Sequence, residues 1–229
     1  ALIKFIINRR NNDVQNKYGV EHIINANFSF DFRDHKYVQS IDENGVNCFK
    51  RIKAFHEDSV LIDNWCGDNF IRTLKGEEVV VSDSMANLYK NAINSVFYFT
   101  TLPKSLTDDA VIAELIDTVV IFDKQYHKIK VTFKEERGGD DFEDVYYYWF
   151  DLQENTLDYF AYEYFDNVGG IRFRKAINRR EKNGFLFQDY INYKPISDSI
   201  SLDDLEYALV NQQLEEVSKI ENINVLFNK

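Results

Sequence analysis

"NCFKRIKAFHEDSVLIDNWC", residues 47–66, decides how this chain folds. Folded back on itself about Glu57, the stretch sets Cys48 opposite Cys66, Ile52 opposite Ile62 and Ala54 opposite Val60 on one face, interrupted only by Lys50 opposite Asn64. The other face then pairs Phe49 with Trp65 and Arg51 with Asp63. An aromatic pair and an ion pair of this kind stabilise neighbouring strands by roughly 0.2–1 kcal/mol each. A slip of one residue would turn every side chain over and scramble all these pairs, so their agreement fixes an antiparallel hairpin in one register. It also brings the two cysteines side by side, where they form a disulfide in an oxidising compartment or pack as two small hydrophobes.

Alternation of apolar and polar residues at period two extends outward from this hairpin. "NFSFDF" and "KYVQSI" lie upstream; "NFIRTL", "EEVVVSD", "TVVIFD", "HKIKVTF", "DVYYYWF", "LDYFAYEYF", "IRFRKAI" and "GFLFQDYINY" follow. The connections are short, which suits antiparallel hairpins, since parallel strands need crossovers of a dozen or more residues. Two helices stand against this pattern. In "SMANLYKNAINSVFYF" (84–99) the apolar residues recur at three and four, and Pro103 blocks continuation. "SLDDLEYALVNQQL" (201–214) opens on a Ser201 cap with Asp203 and Asp204 in its first turn. A shorter helix is expected in "TDDAVIAELI" (107–116). With no repeat and no Pro/Gly/Ser linker, residues 1–229 read as a single domain of the α+β class, mainly antiparallel, with the sheet curved around the helix at 84–99.

Composition agrees. Nineteen Phe and 14 Tyr against one Met and two Pro, at 45% hydrophobic content, describe a folded, sheet-rich chain. The net charge of -11 opposes the phosphates of nucleic acid, which is therefore not an expected partner. No apolar run approaches the roughly 20 residues that span a bilayer. The opening "ALIKFIINRRNN" has too short an apolar stretch for a signal peptide, and no lipobox cysteine.

Three stretches are candidate sites. "FKEERGGDDFED" (133–144) reads as a hairpin turning at Gly138 and Gly139, with acids at its tip. Asp140, Asp141 and Asp144 are weak candidates for calcium, although the spacing is not that of an EF-hand and charges at a hairpin tip are usually solvated. Next, "VYYYWF" against "LDYFAYEYF" is expected to set Trp149 beside Phe160 and Tyr147 beside Tyr162 on one face, either as core packing or as the wall of an apolar cavity. Finally, Arg172, Arg174 and Arg179 stand out in an acidic chain, as balance for neighbouring acids or as an anion patch. Catalytic patterns are missing: the four histidines His22, His35, His56 and His127 are scattered, and no Cys-x-x-Cys, phosphate loop, dinucleotide fingerprint or nucleophile elbow occurs. No cofactor is expected.

"INSVFYFTTLP" (93–103), Gly138 to Phe150, "DYFAYEYFDNVGGIRFRKAINRR" (158–180) and "FQDYINY" (187–193), with "FSFDFRDHKYV" (28–38) and "LIDNWCGDNFIR" (61–72), resemble a family of uncharacterised bacterial envelope lipoproteins of flavobacterial type. The resemblance implies a LolA-like fold, an incomplete antiparallel barrel wrapped around helices, and a place in the cell envelope, periplasmic or attached to the outer membrane, with peripheral or lipid-anchored membrane association. It also implies a hydrophobic or lipidic ligand. Some relatives carry the name deoxyribose-phosphate aldolase; that enzyme resembles an α/β barrel with a Schiff-base lysine, whereas this chain shows no βα alternation.

The expected function is thus non-catalytic binding of a hydrophobic or lipidic molecule, lined by Met85, Leu88, Ala92 and Val96 of the helix with Tyr147, Trp149, Phe160 and Tyr162. Two alternatives stand beside it: an acidic-site, calcium-dependent hydrolase or sugar-binding protein, and a structural protein-interaction module.

Overall fold

The computed structural model describes residues 27–55, 59–134, 144–164, 169–183 and 185–227. Among these, antiparallel strands dominate, in two sheets of seven strands, neither of which closes on itself. The described residues cluster into two compact units, one of 27–101, 180–187 and 221–227, the other of 102–179 and 188–220.

The first unit holds β1 (Phe28–Phe32), β2 (His35–Ile41), β3 (Asn47–Ala54), β4 (Val60–Cys66), β5 (Asn69–Leu74) and β6 (Glu77–Val79). They pair in sequence order, and β14 (Ile223–Phe227) joins the outer side of β1. The β3–β4 ladder has the register expected from the sequence, from Cys48↔Cys66 through Phe49↔Trp65 and Arg51↔Asp63 to Ala54↔Val60. The face carrying the ion pair is the one that packs inward. Against it lies α1 (Asp83–Thr100), whose first turn is capped by the Ser82 hydroxyl accepting from the Met85 N–H. Its Phe97 ring sits among those of Phe49, Phe30, Tyr37 and Phe28 at centroid separations of 4.9, 5.5, 5.9 and 6.1 Å. Ile93, Phe185, Phe187 and Val225 complete this core.

The second unit holds β7 (Val111–Ile121), β8 (Lys124–Phe133), β9 (Val145–Asp151), β10 (Leu157–Tyr164), most of β11 (Gly170–Lys182) and β12 (Phe185–Pro195), and β13 (Leu214–Ile220), again paired in sequence order. Phe122 and Asp123, both at positive φ, make the two-residue turn between β7 and β8, as the twist of a tight hairpin requires. One face of this sheet forms a second core with Trp149, Tyr147, Tyr126 and Phe173, roofed by Leu202 and Leu205 from the segment containing α2 (Leu205–Val210).

Three expectations are corrected. "TDDAVIAELI" is not helical: a 3-10 turn at Lys104–Thr107 leads into β7, which is held as a strand by its ladder with β8. The 201–214 helix is a 3-10 turn at Leu202–Asp204 followed by α2, ending at Val210 before Gln212 takes positive φ. The remaining residues, Leu214–Ile220 and Ile223–Phe227, are strands that the alternation did not reveal. The glycines 138 and 139 lie outside the described residues, while β8 and β9 on either side of them pair antiparallel. No helix among the described residues is long and apolar enough to cross a membrane.

Candidate functional site

Helix α1 has two apolar stripes. Ile93, Phe97 and Thr100 are buried toward the sheet of its own unit. About a quarter turn round the helix, at i, i+3 and i+7, Met85, Leu88 and Ala92 are exposed, Met85 by 39% and Leu88 by 59%, while Val96 is half-buried. A helix packed on one side normally turns polar residues outward. Here the second apolar stripe is open.

The four residues expected from β9 and β10 belong to the second unit and do not share a face. The observed pairs are Trp149↔Tyr159, Tyr148↔Phe160, Tyr147↔Ala161 and Tyr146↔Tyr162, one residue out of the expected register. A bulge at Asp158 shifts the ladder by one residue, because Leu157 and Tyr159 stand opposite the adjacent residues Phe150 and Trp149. The one-residue offset turns Phe160 and Tyr162 to the side opposite Tyr147 and Trp149.

Both sides are packed. On the first, Trp149 is fully buried and Tyr147 nearly so; the Tyr147 hydroxyl donates to Asp203, and burial raises its ionisation above the ordinary tyrosine range. Lys128, 5% exposed, holds the roof in place by donating to the Asp203 carbonyl at 2.7 Å and to Glu206 Oε1 at 2.8 Å, with its ammonium 4.8 Å from the Tyr147 ring centroid. On the second, Tyr148 stacks on Phe160 at 5.8 Å and Tyr146 on Tyr162 at 5.4 Å. Tyr190 meets Phe160 edge-on at 5.1 Å, and burial pushes its hydroxyl up to about 12.

The basic residues divide the same way. Arg174 lies 5.3 Å from the Phe160 and Tyr162 centroids and donates to the Tyr162 hydroxyl at 2.9 Å, and Arg172 lies 5.2 Å from the Tyr164 centroid. Arg179 is engaged elsewhere, with Asp158 at 2.5 Å, the Leu157 carbonyl at 2.9 Å and Gln188 at 3.0 Å. Arg172 and Arg174, two residues apart on β11, thus lie against aromatic rings, and Arg179 lies against a carboxylate. Cys48 and Cys66 are joined as a disulfide across the β3–β4 ladder.

Asp140 and Asp141 lie outside the described residues, as do His22 and His56; Asp144 accepts from the Tyr146 hydroxyl at 3.3 Å. Among the described residues no group of three His, Cys, Asp or Glu side chains is placed to hold a metal ion. His35 pairs with Asp34 at 2.7 Å, and burial holds its pKa below the usual histidine range.

Residues 35–222 match the profile of a family described as a family of unknown function, DUF6503. No curated protein matches the chain. Among solved structures, a LolA superfamily protein from Nitrosomonas europaea is similar at 8% identity and a TM-score of 0.48, over 89% of this chain and 85% of that one. A domain named as an outer membrane lipoprotein-sorting protein from Vibrio parahaemolyticus follows at 6% identity and 0.43, over 96% and 91%. The Mycobacterium tuberculosis lipoprotein LppX is similar at 11% and 0.28, over 71% and 88%. At these identities and scores the likenesses transfer no ligand and no residue role.

Proposed function

The chain belongs to DUF6503, a family of unknown function, and we propose that it works in the cell envelope as a non-catalytic protein that binds a hydrophobic or lipidic ligand. The observation that carries this reading is the open stripe Met85, Leu88 and Ala92 on α1, a contiguous apolar surface that its own fold leaves in water. Of the four β9–β10 aromatics expected beside it, Tyr147, Trp149 and Phe160 are buried, and this reading does not rest on them. The envelope assignment draws support from the Cys48–Cys66 disulfide, since such bonds persist in oxidising compartments. Membrane attachment through a lipid anchor belongs to the same proposal. So does a single cooperative domain: the chain passes between the two units at 101/102, 179/180, 187/188 and 220/221, so neither is one continuous stretch.

The test is native mass spectrometry of the purified protein before and after organic extraction, repeated on Met85→Gln/Leu88→Gln. Bound apolar mass that extraction removes and the double variant fails to retain supports the reading. A protein that stays free of ligand after incubation with envelope lipids overturns it.

A further inference from the structure

A second and separate feature lies wholly in the β7–β13 unit, at the end of its sheet where β9 turns into β10. Two irregularities meet there. The bulge in β10 frees Asp158 from the ladder and re-aims its carboxylate, and Asn178 on β11, at φ 50, precedes Arg179. Asp158 is fully engaged: it accepts from the Tyr126 hydroxyl at 3.1 Å, from Thr156 Oγ1 at 2.5 Å and from Arg179 at 2.5 Å. Beside this cluster is a half-open cleft of about 220 Å³, to which β11 contributes Lys175 and the β7–β8 turn contributes Lys124 and Phe122.

The charges of the cleft are unequal in their engagement. Arg179 is matched by Asp158, and Lys124 reaches Asp151 at 3.5 Å while remaining mostly in water. Lys175 is half-buried, and its side chain makes no hydrogen bond or ion pair among the described residues. In a chain of net charge -11, carboxylates are plentiful, yet the one among the described residues that lines this cleft, Asp158, is already bonded to Arg179, Tyr126 and Thr156. An ammonium with no bonded counterion is open to an anionic partner, and a charge-assisted hydrogen bond is the strong kind. Ile121, Phe122 and Ala176, with the ring of Tyr159, form the apolar part of the cleft's walls, and Asp158, Arg179 and Lys124 the charged part. Ordinary ligand pockets run from roughly 300 to 1,000 Å³, so this cleft suits a small group with one charge and a short apolar body, not an acyl chain.

We propose that the cleft binds a carboxylate group, paired with Lys175 and assisted by Lys124, whose adjoining carbons lie against Phe122 and Tyr159. The group is either a free small acid or the head of a fatty acid. Because the cleft and the α1 stripe share no residue, this proposal does not rest on the hydrophobic-ligand reading.

Calorimetric titration of the whole protein with benzoate, benzamide and decanoate tests it. Benzoate binds and neutral benzamide does not; Lys175→Gln weakens benzoate about tenfold or more, the effect of about 1.4 kcal/mol from one charge-assisted contact. Lys175→Arg retains binding, and the thermal midpoints of both variants stay at the wild-type value, showing that the fold is intact. Decanoate binding without benzoate binding, still lost in Lys175→Gln, keeps the site and assigns it to the head of a fatty acid. Equal binding of benzoate and benzamide, no binding of either acid, or affinity unchanged in Lys175→Gln overturns the proposal. Unchanged benzoate affinity in Met85→Gln/Leu88→Gln separates its outcome from that of the hydrophobic-ligand reading.

Discussion

Asp63 stands directly opposite Arg72 in the β4–β5 ladder, and Arg72 Nε donates to its Oδ1 at 2.6 Å. Arg51 reaches the same carboxylate from β3 at 2.6 Å, and the Arg72 guanidinium carbon lies 3.5 Å from the centroid of Tyr89 on α1. One carboxylate, 1% exposed, thus serves two guanidiniums beneath the helix. Removing one member of a buried ionic group leaves uncompensated charge. Asp63→Ala is expected to destabilise the protein by about 3–5 kcal/mol in urea unfolding, whereas Arg51→Met/Asp63→Leu/Arg72→Met recovers most of that loss.

The two stripes of α1 respond differently to substitution. Phe97→Ala, in the midst of four rings, is expected to cost about 3–5 kcal/mol, because it deletes a buried ring and leaves a cavity. Leu88→Gln, at an exposed position, stays within about 0.5 kcal/mol of wild type. Denaturant midpoints for the two variants give the comparison, and a large loss in Leu88→Gln shows that the stripe is structural.

The Cys48–Cys66 bond closes a sequence separation of 18. Its removal in Cys48→Ala/Cys66→Ala is expected to lower stability by about 2–4 kcal/mol, chiefly through the unfolded chain, which becomes freer. Wild type measured with a thiol reductant shifts by a similar amount; equal stability with and without reductant assigns the cysteines to packing alone.

Burial raises the hydroxyl pKa of Tyr37, Tyr126, Tyr147, Tyr159, Tyr190 and Tyr193, that of Tyr190 to about 12. The unfolded chain releases tyrosine protons at about pH 10, where the folded chain still holds these. Above that pH the unfolded state binds fewer protons, so stability is complete below about pH 10 and falls as pH climbs toward 12. Phenolate absorbance and far-UV circular dichroism followed together check this. These tyrosines are expected to ionise only as the fold is lost, and free titration in an intact protein contradicts it.

The β3–β4 hairpin was legible because both its faces carry distinctive pairs, so one register satisfies all of them. The β9–β10 hairpin was legible as a hairpin but not in register: aromatics occupy both faces, any offset gives aromatic pairs, and nothing in "LDYF" announces the bulge at Asp158. For the same reason the expected lining divided between two sides of a sheet. Strand β13, "LEEVSKI", is not legible in the pattern because an edge strand carries charges where an inner one carries apolar residues. In the 107–116 stretch, "AVIAELI" fits both helical and strand periods, and only its place beside β8 decides between them. Lys175 and Asp158 match no chemical motif of their own; their cleft lies beside a bulge and a left-handed residue, features of backbone geometry that composition does not encode.

The outer strand β7 carries an irregularity of the kind that works against pairing with another chain. It runs Val111–Ile121, has no strand partner on its far side among the described residues, and exposes Ile112, Leu115, Ile116 and Val120. A long, flat, apolar rim of this kind is a template for end-to-end growth of sheets from one chain to the next. The ladder with β8 is broken between Leu115 and Asp117, which divides the rim into two short lengths out of step with each other. Such a break is one of the devices by which edge strands are made poor templates, here where side-chain polarity does not serve.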